Sequence, residues 1–242
     1  MKFSGNAAPM TRDGLRRAAN LIKCDAASVL AVMDVETGGC GFLPDKRLPA
    51  LFERHVFRRE TGGRFDRVAA DLSNATPGGY GAAGAAQYDR LARAMELDER
   101  AARRSTSWGL GQIMGFNAGS AGYDDVPDMI AAFVDGEDEQ LMAMARFICH
   151  ERLDAALRTK NWSAFARGYN GPAHWQHDYA GRLERAYARN AATPLDFALR
   201  SKQMQLMFAG LYRARVDGRM GAATRAAMVE AARTGIQIEE VA

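Results

Sequence analysis

One carboxylate stands out in the stretch Val29 to Gly41, VLAVMDVETGGCG. Val29, Val32 and Met33 precede Glu36 by seven, four and three residues, so at helical spacing all four share one face. Gly38 and Gly39 then end the helix, because glycine enters left-handed backbone conformations at little cost. A carboxyl group aimed at the packed side of its helix loses hydration, and that loss raises its pKa. A carboxylic acid still protonated near neutral pH can hand its proton to a leaving group, which is the work of a general acid. The competing reading is an exposed glutamate on a frayed last turn.

Other chemistry-bearing residues give weaker signals. His174 and His177 stand three apart beside Trp175. Two histidines without a third ligand do not make a metal site, so this is read as a surface loop. Cys24, Cys40 and Cys149 form an odd set with no CxxC spacing, against both a disulfide framework and a zinc site. No metal and no cofactor is expected. Residues 71–86, DLSNATPGGYGAAGAA, are rich in glycine. Such a run cradles phosphate only between a strand and a helix N-terminus in a βαβ unit. No parallel-strand pattern precedes it, so a plain loop is expected.

The chain has 242 residues, 48% apolar and 25% charged, which suits a globular protein with a core of useful size. Net charge is +3, and the basic residues are spread along the chain. Clusters such as Arg58-Arg59 and Arg100, Arg103, Arg104 suit an acidic surface or polymer. They carry too few interleaved aromatics to argue for nucleic acid. The start, MKFSGNAAPMTRDG, lacks the apolar run of a signal peptide, and no stretch reaches the length of a membrane span. Synthesis in a reducing cytoplasm, without a signal peptide, is therefore expected, and so is a monomer.

The elements that must position Glu36 are mostly helices. Thr11 can cap a first helix with Leu15, Ala18, Ala19 and Ile22 on one face, and Asp25 can cap the next, which runs to Glu36. The stretch Phe42 to Pro49 reads as a small hairpin or extended loop, with Ala50-Leu51-Phe52 as its return arm. Further helices are expected from Tyr88 to Met95, from Asp98, over Asp128–Phe133 and Glu139–Leu157, around Trp162–Tyr169, and around Tyr179–Tyr187. Thr193-Pro194 reads as a boundary. Beyond it, one helix (Phe197 to Phe208), a turn over Arg215–Arg219 and a second helix from about Ala222 form a small unit. The expected division is therefore 1–192 and 193–242.

The order of motifs is more specific than any one of them. VETGGCGFLPDKRLPALFERHVF, the GGYG loop, SWGLGQIMGFN and GYNGP together resemble the N-acetylmuramidase domain of phage endolysins, within the lysozyme-like superfamily. The resemblance covers roughly residues 11–190. It implies a mainly α, lysozyme-like α+β domain with a small hairpin after the catalytic helix. The tail, KQMQLMFAGLYRARVDGRMGAATRAAMVEA, resembles a peptidoglycan-binding module, with Val216, Asp217, Gly218, Gly221 and Thr224 on its motif.

The resemblance makes Glu36 the acid that protonates the glycosidic oxygen between N-acetylmuramic acid and N-acetylglucosamine. Peptidoglycan glycan strands are then the partner. A second carboxylate would come from Asp45, in the expected hairpin turn, or from Glu53, at the end of the return arm. Asp45 could equally be a turn residue bonding its own backbone. Glu53 could equally pair with Arg54 or Arg58, or serve a helix end. Lytic enzymes of this superfamily also work without a true second carboxylate. Ser107 and Gln112 flank a segment that lines the sugar cleft in similar enzymes, where Gln offers a donor and an acceptor to an acetamido group. Tyr169 and Asn170 match residues that face the acid in lytic transglycosylases; packing and a helix cap are their plainer roles. Release through a holin-type lesion goes with the endolysin resemblance. Lytic transglycosylation, or wall binding without catalysis, are the alternative activities.

Overall fold

The computed structural model describes residues 3–171 and 177–239. His174 and Trp175 lie outside them. Helix α1 (Arg12–Ile22) is capped as its sequence suggests, with the Thr11 hydroxyl accepting from Gly14 N at 2.9 Å. Helix α2 (Ala26–Thr37) begins at Asp25, whose carboxylate accepts from Ser28 N at 2.8 Å. It stops at Gly38, in the left-handed region at φ 69°. Each cap satisfies a backbone donor that has no partner within the helix.

Helix α2 is not the one-sided helix expected. Ser28 to Met33 are buried without a break, and so is Val35. A helix that is apolar on all sides belongs in the middle of a domain. Its companions are α1 and, along most of its length, α9 (Tyr179–Ala192). The Glu36 carboxyl is thus carried at the end of the central helix.

The small β element has a different pairing from the one expected. Residues 42–49 form a tight turn, with Leu43 N bonded to Arg47 O at 2.8 Å and Lys46 N to Leu43 O at 2.9 Å. Strand β1 (Ala50–Phe52) does not pair back onto this turn. It pairs antiparallel with β2 (Thr106–Trp108), which pairs with β3 (Ile113–Met114). The hairpin of this sheet is therefore built by SWGLGQIM, far along the chain. Pro44 and Pro49 bracket the 42–49 stretch, and proline cannot supply a ladder donor.

Helix α3 (Arg54–Glu60) follows β1 directly. Helix α4 (Gln87–Arg104) is kinked at Asp98, which leaves helical geometry and caps the second half through Ala101 N at 2.9 Å. The expected new start at Asp98 is this kink. Helix α5 (Val126–Asp135) is capped by Asp125. The helix expected over 139–157 is two: α6 (Glu137–His150) and the short α7 (Asp154–Arg158), parted by Arg152 in the left-handed region at φ 57°. Helix α8 (Trp162–Asn170) then leads toward α9. Fully buried Phe52, Trp108, Phe133 and Phe165 tie the sheet to these helices. This mainly helical fold with a small antiparallel sheet is lysozyme-like. No helix among the described residues is long and apolar enough to cross a membrane.

The tail adds α10 (Phe197–Phe208) and α11 (Ala222–Thr234). Their connection is knotted around one buried side chain, Gln203. Its Oε1 accepts from Asp217 N and Gly218 N at 2.9 and 2.8 Å. Its Nε2 donates to Asp217 Oδ1, Arg219 O and Thr224 Oγ1 at 3.2, 3.0 and 3.1 Å. Gly218 has φ 65°, and a Cβ there would meet Asp196 O at 2.6 Å. Most of the motif residues that carry the tail's resemblance are thus accounted for by this turn.

The tail also leans on the main body through charge. Arg200 is 1% exposed and Glu137 is fully buried. The guanidinium meets both Glu137 oxygens, at 2.6 and 2.7 Å, and donates to Gly39 O at 2.6 Å. Glu137 also accepts from Met10 N at 2.7 Å and Gly41 N at 2.8 Å. One carboxylate thereby joins the N-terminal segment, the chain beyond α2 and the tail.

Candidate active site

Glu36 stands at an open cleft of about 570 Å³, inside the range of about 300–1,000 Å³ typical of ligand sites. Its walls come from the end of α2 with the turn that follows it, the edge strand β1, the glycine-rich loop around Ala83-Gly84, Gln112, and the tail through Met207 and Arg213 to Val216. The residue is partly buried, and its Oε1 has no contact with solvent and no hydrogen-bond partner. Burial pushes the Glu36 carboxyl up to about 8, against the pull of the Arg182 guanidinium and a hydrogen bond from the Asn170 side chain. Arg182 is fixed by its own bond to Val35 O at 2.8 Å. Desolvation therefore outweighs both groups that favour the anion, and the carboxyl stays protonated at neutral pH.

The structure brings Tyr169 and Asn170 to the acid. Asn170 bonds Glu36, and Tyr169 feels its charge, although burial is what chiefly drives the Tyr169 phenol well above its ordinary range. The phenol donates to Gly111 O at 2.7 Å. Its ring stacks on Phe165 at 5.2 Å and meets Phe147 edge-on at 5.5 Å. Tyr169 thus locks α8 to the β2–β3 turn and closes one side of the carboxyl's surroundings. Helix α8 ends at Gly171, so Asn170 is its last residue rather than its cap.

Gln112 lines the cleft, but its amide is engaged within the protein. Its Oε1 accepts from the Ser107 hydroxyl at 3.0 Å. Its Nε2 donates to Gly109 O at 2.9 Å and Pro49 O at 3.3 Å. The backbone at Gln112 sits in the left-handed region at φ 46°. Ser107 and Gln112 together therefore hold the turn between β2 and β3 and tie it to the approach to β1. Gln140 on α6 stitches the same region, accepting from Leu110 N at 2.6 Å and donating to Gly41 O at 3.2 Å.

The two further carboxylates differ sharply. Asp45 is pinned by Arg47, with Oδ2 at 2.6 Å from Nη2 and 2.8 Å from Nε, and that cation and the neighbouring backbone N–H offset its partial desolvation and hold its carboxyl below the usual range. Glu53 is mostly buried, and burial pushes it up. It accepts from the Tyr80 hydroxyl at 3.1 Å, and His55 Nδ1 lies 3.2 Å from its Oε2, outside hydrogen-bonding geometry. Neither Arg54 nor Arg58 pairs with it: Arg54 bonds the carbonyls of Thr76 and Pro77, and Arg58 pairs with Asp66. Neither Asp45 nor Glu53 belongs to the cleft lining, although Ala50 and Leu51, just ahead of Glu53, do.

Several parts of the site had no role assigned from the sequence, Tyr80 included, although it lies in the GGYG motif. Tyr80 and Gln87 turn the glycine-rich loop into a wall of the cleft. Gln87 on α4 holds it by donating to Tyr80 O and Ala82 O at 2.6 and 2.7 Å. Arg182 and the tail's Arg213 likewise read as ordinary surface arginines. Among the described residues, no three His, Cys, Asp or Glu side chains cluster as a metal site would.

The N-acetylmuramidase family model matches residues 25–191. The stretch from α10 onward lies beyond that match. Among solved structures, the crystal structure of the Burkholderia AP3 phage endolysin is 43% identical, with a TM-score of 0.67, covering 76% of this chain and 72% of that one. No protein of curated function matches. Sequence, fold and cleft agree: the chain belongs to the N-acetylmuramidase family of peptidoglycan hydrolases.

Proposed function

We propose that the protein is an endolysin that hydrolyses the β-1,4 bond between N-acetylmuramic acid and N-acetylglucosamine, with Glu36 as general acid. The observation that carries this reading is the protonated Glu36 carboxyl, about 8, at the wall of a cleft in a muramidase fold. Its proton goes to the glycosidic oxygen as the bond to the sugar's anomeric carbon breaks. The oxocarbenium-like centre left behind needs negative charge, a nucleophile, or an activated water.

Glu53 is the carboxylate assigned to that second role. It follows the strand whose Ala50 and Leu51 line the cleft, accepts from the Tyr80 hydroxyl of the glycine-rich loop, and has a buried oxygen without a hydrogen bond. Asp45 is assigned a structural role, because Arg47 occupies it. Glu53→Gln is therefore expected to lower the rate of wall lysis at least tenfold with little change in melting temperature. Asp45→Asn is expected to leave the rate within about twofold. Turbidity loss of purified cell walls, measured beside thermal unfolding, checks both. Equal small losses would favour a mechanism with one carboxylate.

Mass analysis of the products tests the reaction itself. Hydrolysis gives reducing N-acetylmuramic acid ends, whereas intramolecular transfer to the C6 hydroxyl would give anhydro ends. Reducing N-acetylglucosamine ends would place the cut at the other bond and overturn the assignment. Release of the enzyme through a holin-type lesion belongs to the same reading, and co-expression with and without a holin tests it.

A further inference from the structure

The tail supplies a wall of the catalytic cleft, and that wall carries an uncommitted cation. Among the described residues three charged side chains line the cleft: Glu36, Arg213 and Arg215. Glu36 is neutral at pH 7, as shown above. Arg215 is spent on the main body, donating to Gly38 O at 3.0 Å and Asp34 O at 2.8 Å, with the Asp34 carboxylate 3.2 Å away. Arg213 is exposed, and no hydrogen bond, ion pair or ring contact engages it. The backbone that carries it is nonetheless anchored on both sides. Tyr212 and Val216 on either side are buried, and the Tyr212 hydroxyl donates to Arg215 O at 2.6 Å. Gly39, at φ 100°, is pressed so closely on the loop that a Cβ would meet Val216 O at 2.8 Å.

We propose that Arg213 is a substrate-binding residue that recognises a carboxylate carried by the muramic acid units of peptidoglycan. The proposal rests on the muramidase reading above. A guanidinium on an anchored loop matches a carboxylate with two parallel donors, and among the described residues no carboxylate engages it already. Arg213 enters the cleft from the tail and Glu36 from the end of α2, so the cation and the acid reach a bound strand from different segments. The tail then contributes to peptidoglycan binding within the active site rather than at a separate surface.

The carboxylate has two sources: the stem peptide of intact wall, or the lactyl group of strands stripped of peptide. Three soluble substrates separate them: peptidoglycan fragments, the same fragments freed of peptide by an amidase, and fragments with every carboxylate converted to an amide by carbodiimide and ammonia. Arg213→Ala is expected to lower kcat/KM about tenfold on the intact fragments, chiefly through KM, and to equal the parent on the amidated ones. Arg213→Lys should recover part of the loss. A defect on intact fragments that disappears on peptide-free strands assigns the stem peptide; one confined to peptide-free strands, where the lactyl carboxyl is no longer amide-linked, assigns the lactyl group. Equal kcat/KM for parent and Arg213→Ala on both intact and peptide-free fragments, or the same loss on amidated ones, would overturn the proposal. Affinity for intact and amidated fragments, measured in a Glu36→Gln background with and without Arg213→Ala, reads the contact without catalysis. Glu36→Gln that still lyses walls would sink the muramidase mechanism instead, so the two failures are distinguishable.

Discussion

Glu36→Gln is expected to abolish wall lysis and to make the protein more stable. The amide keeps the size of the side chain and has no acid proton to give. Loss of a general acid costs about 10²–10⁴ in rate. The stability gain follows from the same burial. In the folded protein the carboxyl holds its proton up to about 8, whereas in the unfolded chain it ionises near 4.5. Between those values the unfolded state has fewer protons bound, so stability falls as pH rises, by about 1.4 kcal/mol per unit. Glutamine removes that dependence. The variant should match the parent at pH 4, gain progressively across pH 4.5–8, and exceed it by a few kcal/mol at pH 8. Urea unfolding at pH 4, 6 and 8, beside turbidity assays, measures both effects. A variant equally stable to the parent at every pH would mean that Glu36 is not desolvated. The pH dependence of activity carries the same sign, with lysis declining as pH passes 8.

Arg200→Met should cost more stability than any surface change. It strips the guanidinium from Glu137 and leaves a fully buried carboxylate with only the backbone donors of Met10 and Gly41. Removing one partner of a buried pair costs about 3–5 kcal/mol. For a chain of this size that is a fall in melting temperature on the order of 10 °C. Adding Glu137→Gln should restore a large part, because the uncompensated charge is gone and an acceptor remains. If the double variant is no better than Arg200→Met alone, the loss comes from packing rather than charge. Truncation after Ala192 removes the same guanidinium. It should therefore lower the melting temperature as a supporting element would, not leave it unchanged as a tethered module would.

The sequence made the caps, the desolvated Glu36 carboxyl and the order of motifs legible, since each is a local signal. Thr11, Asp25 and Asp98 each cap a helix where expected, and Tyr169-Asn170 meet Glu36 because motif order encoded that contact. What stayed illegible was long-range. Alternation in Ala50-Leu51-Phe52 marks a strand but does not name its partner, and Thr106–Trp108 lies more than fifty residues on. Burial around the whole of α2 was hidden because a short apolar helix shows the same spacing whether one face or all faces are covered. The donor and acceptor of Gln112 looked available, and only the fold shows them turned inward. Arg200 reads as a surface residue because its partner is 63 positions away.

That ion pair also sets a timetable. A ribosome delivers the chain from its N-terminus, so Glu36, the sheet and α9 all emerge before Arg200. Until then Glu137 is a carboxylate without its cation, and the Gly39 carbonyl and the cleft wall around Arg215 wait for their partners. The charge that completes the core and the loop that completes the cleft arrive together, after the rest of the cleft has been made. A nascent or prematurely terminated chain therefore carries the acid of a wall-cutting enzyme without the assembled cleft in which to use it.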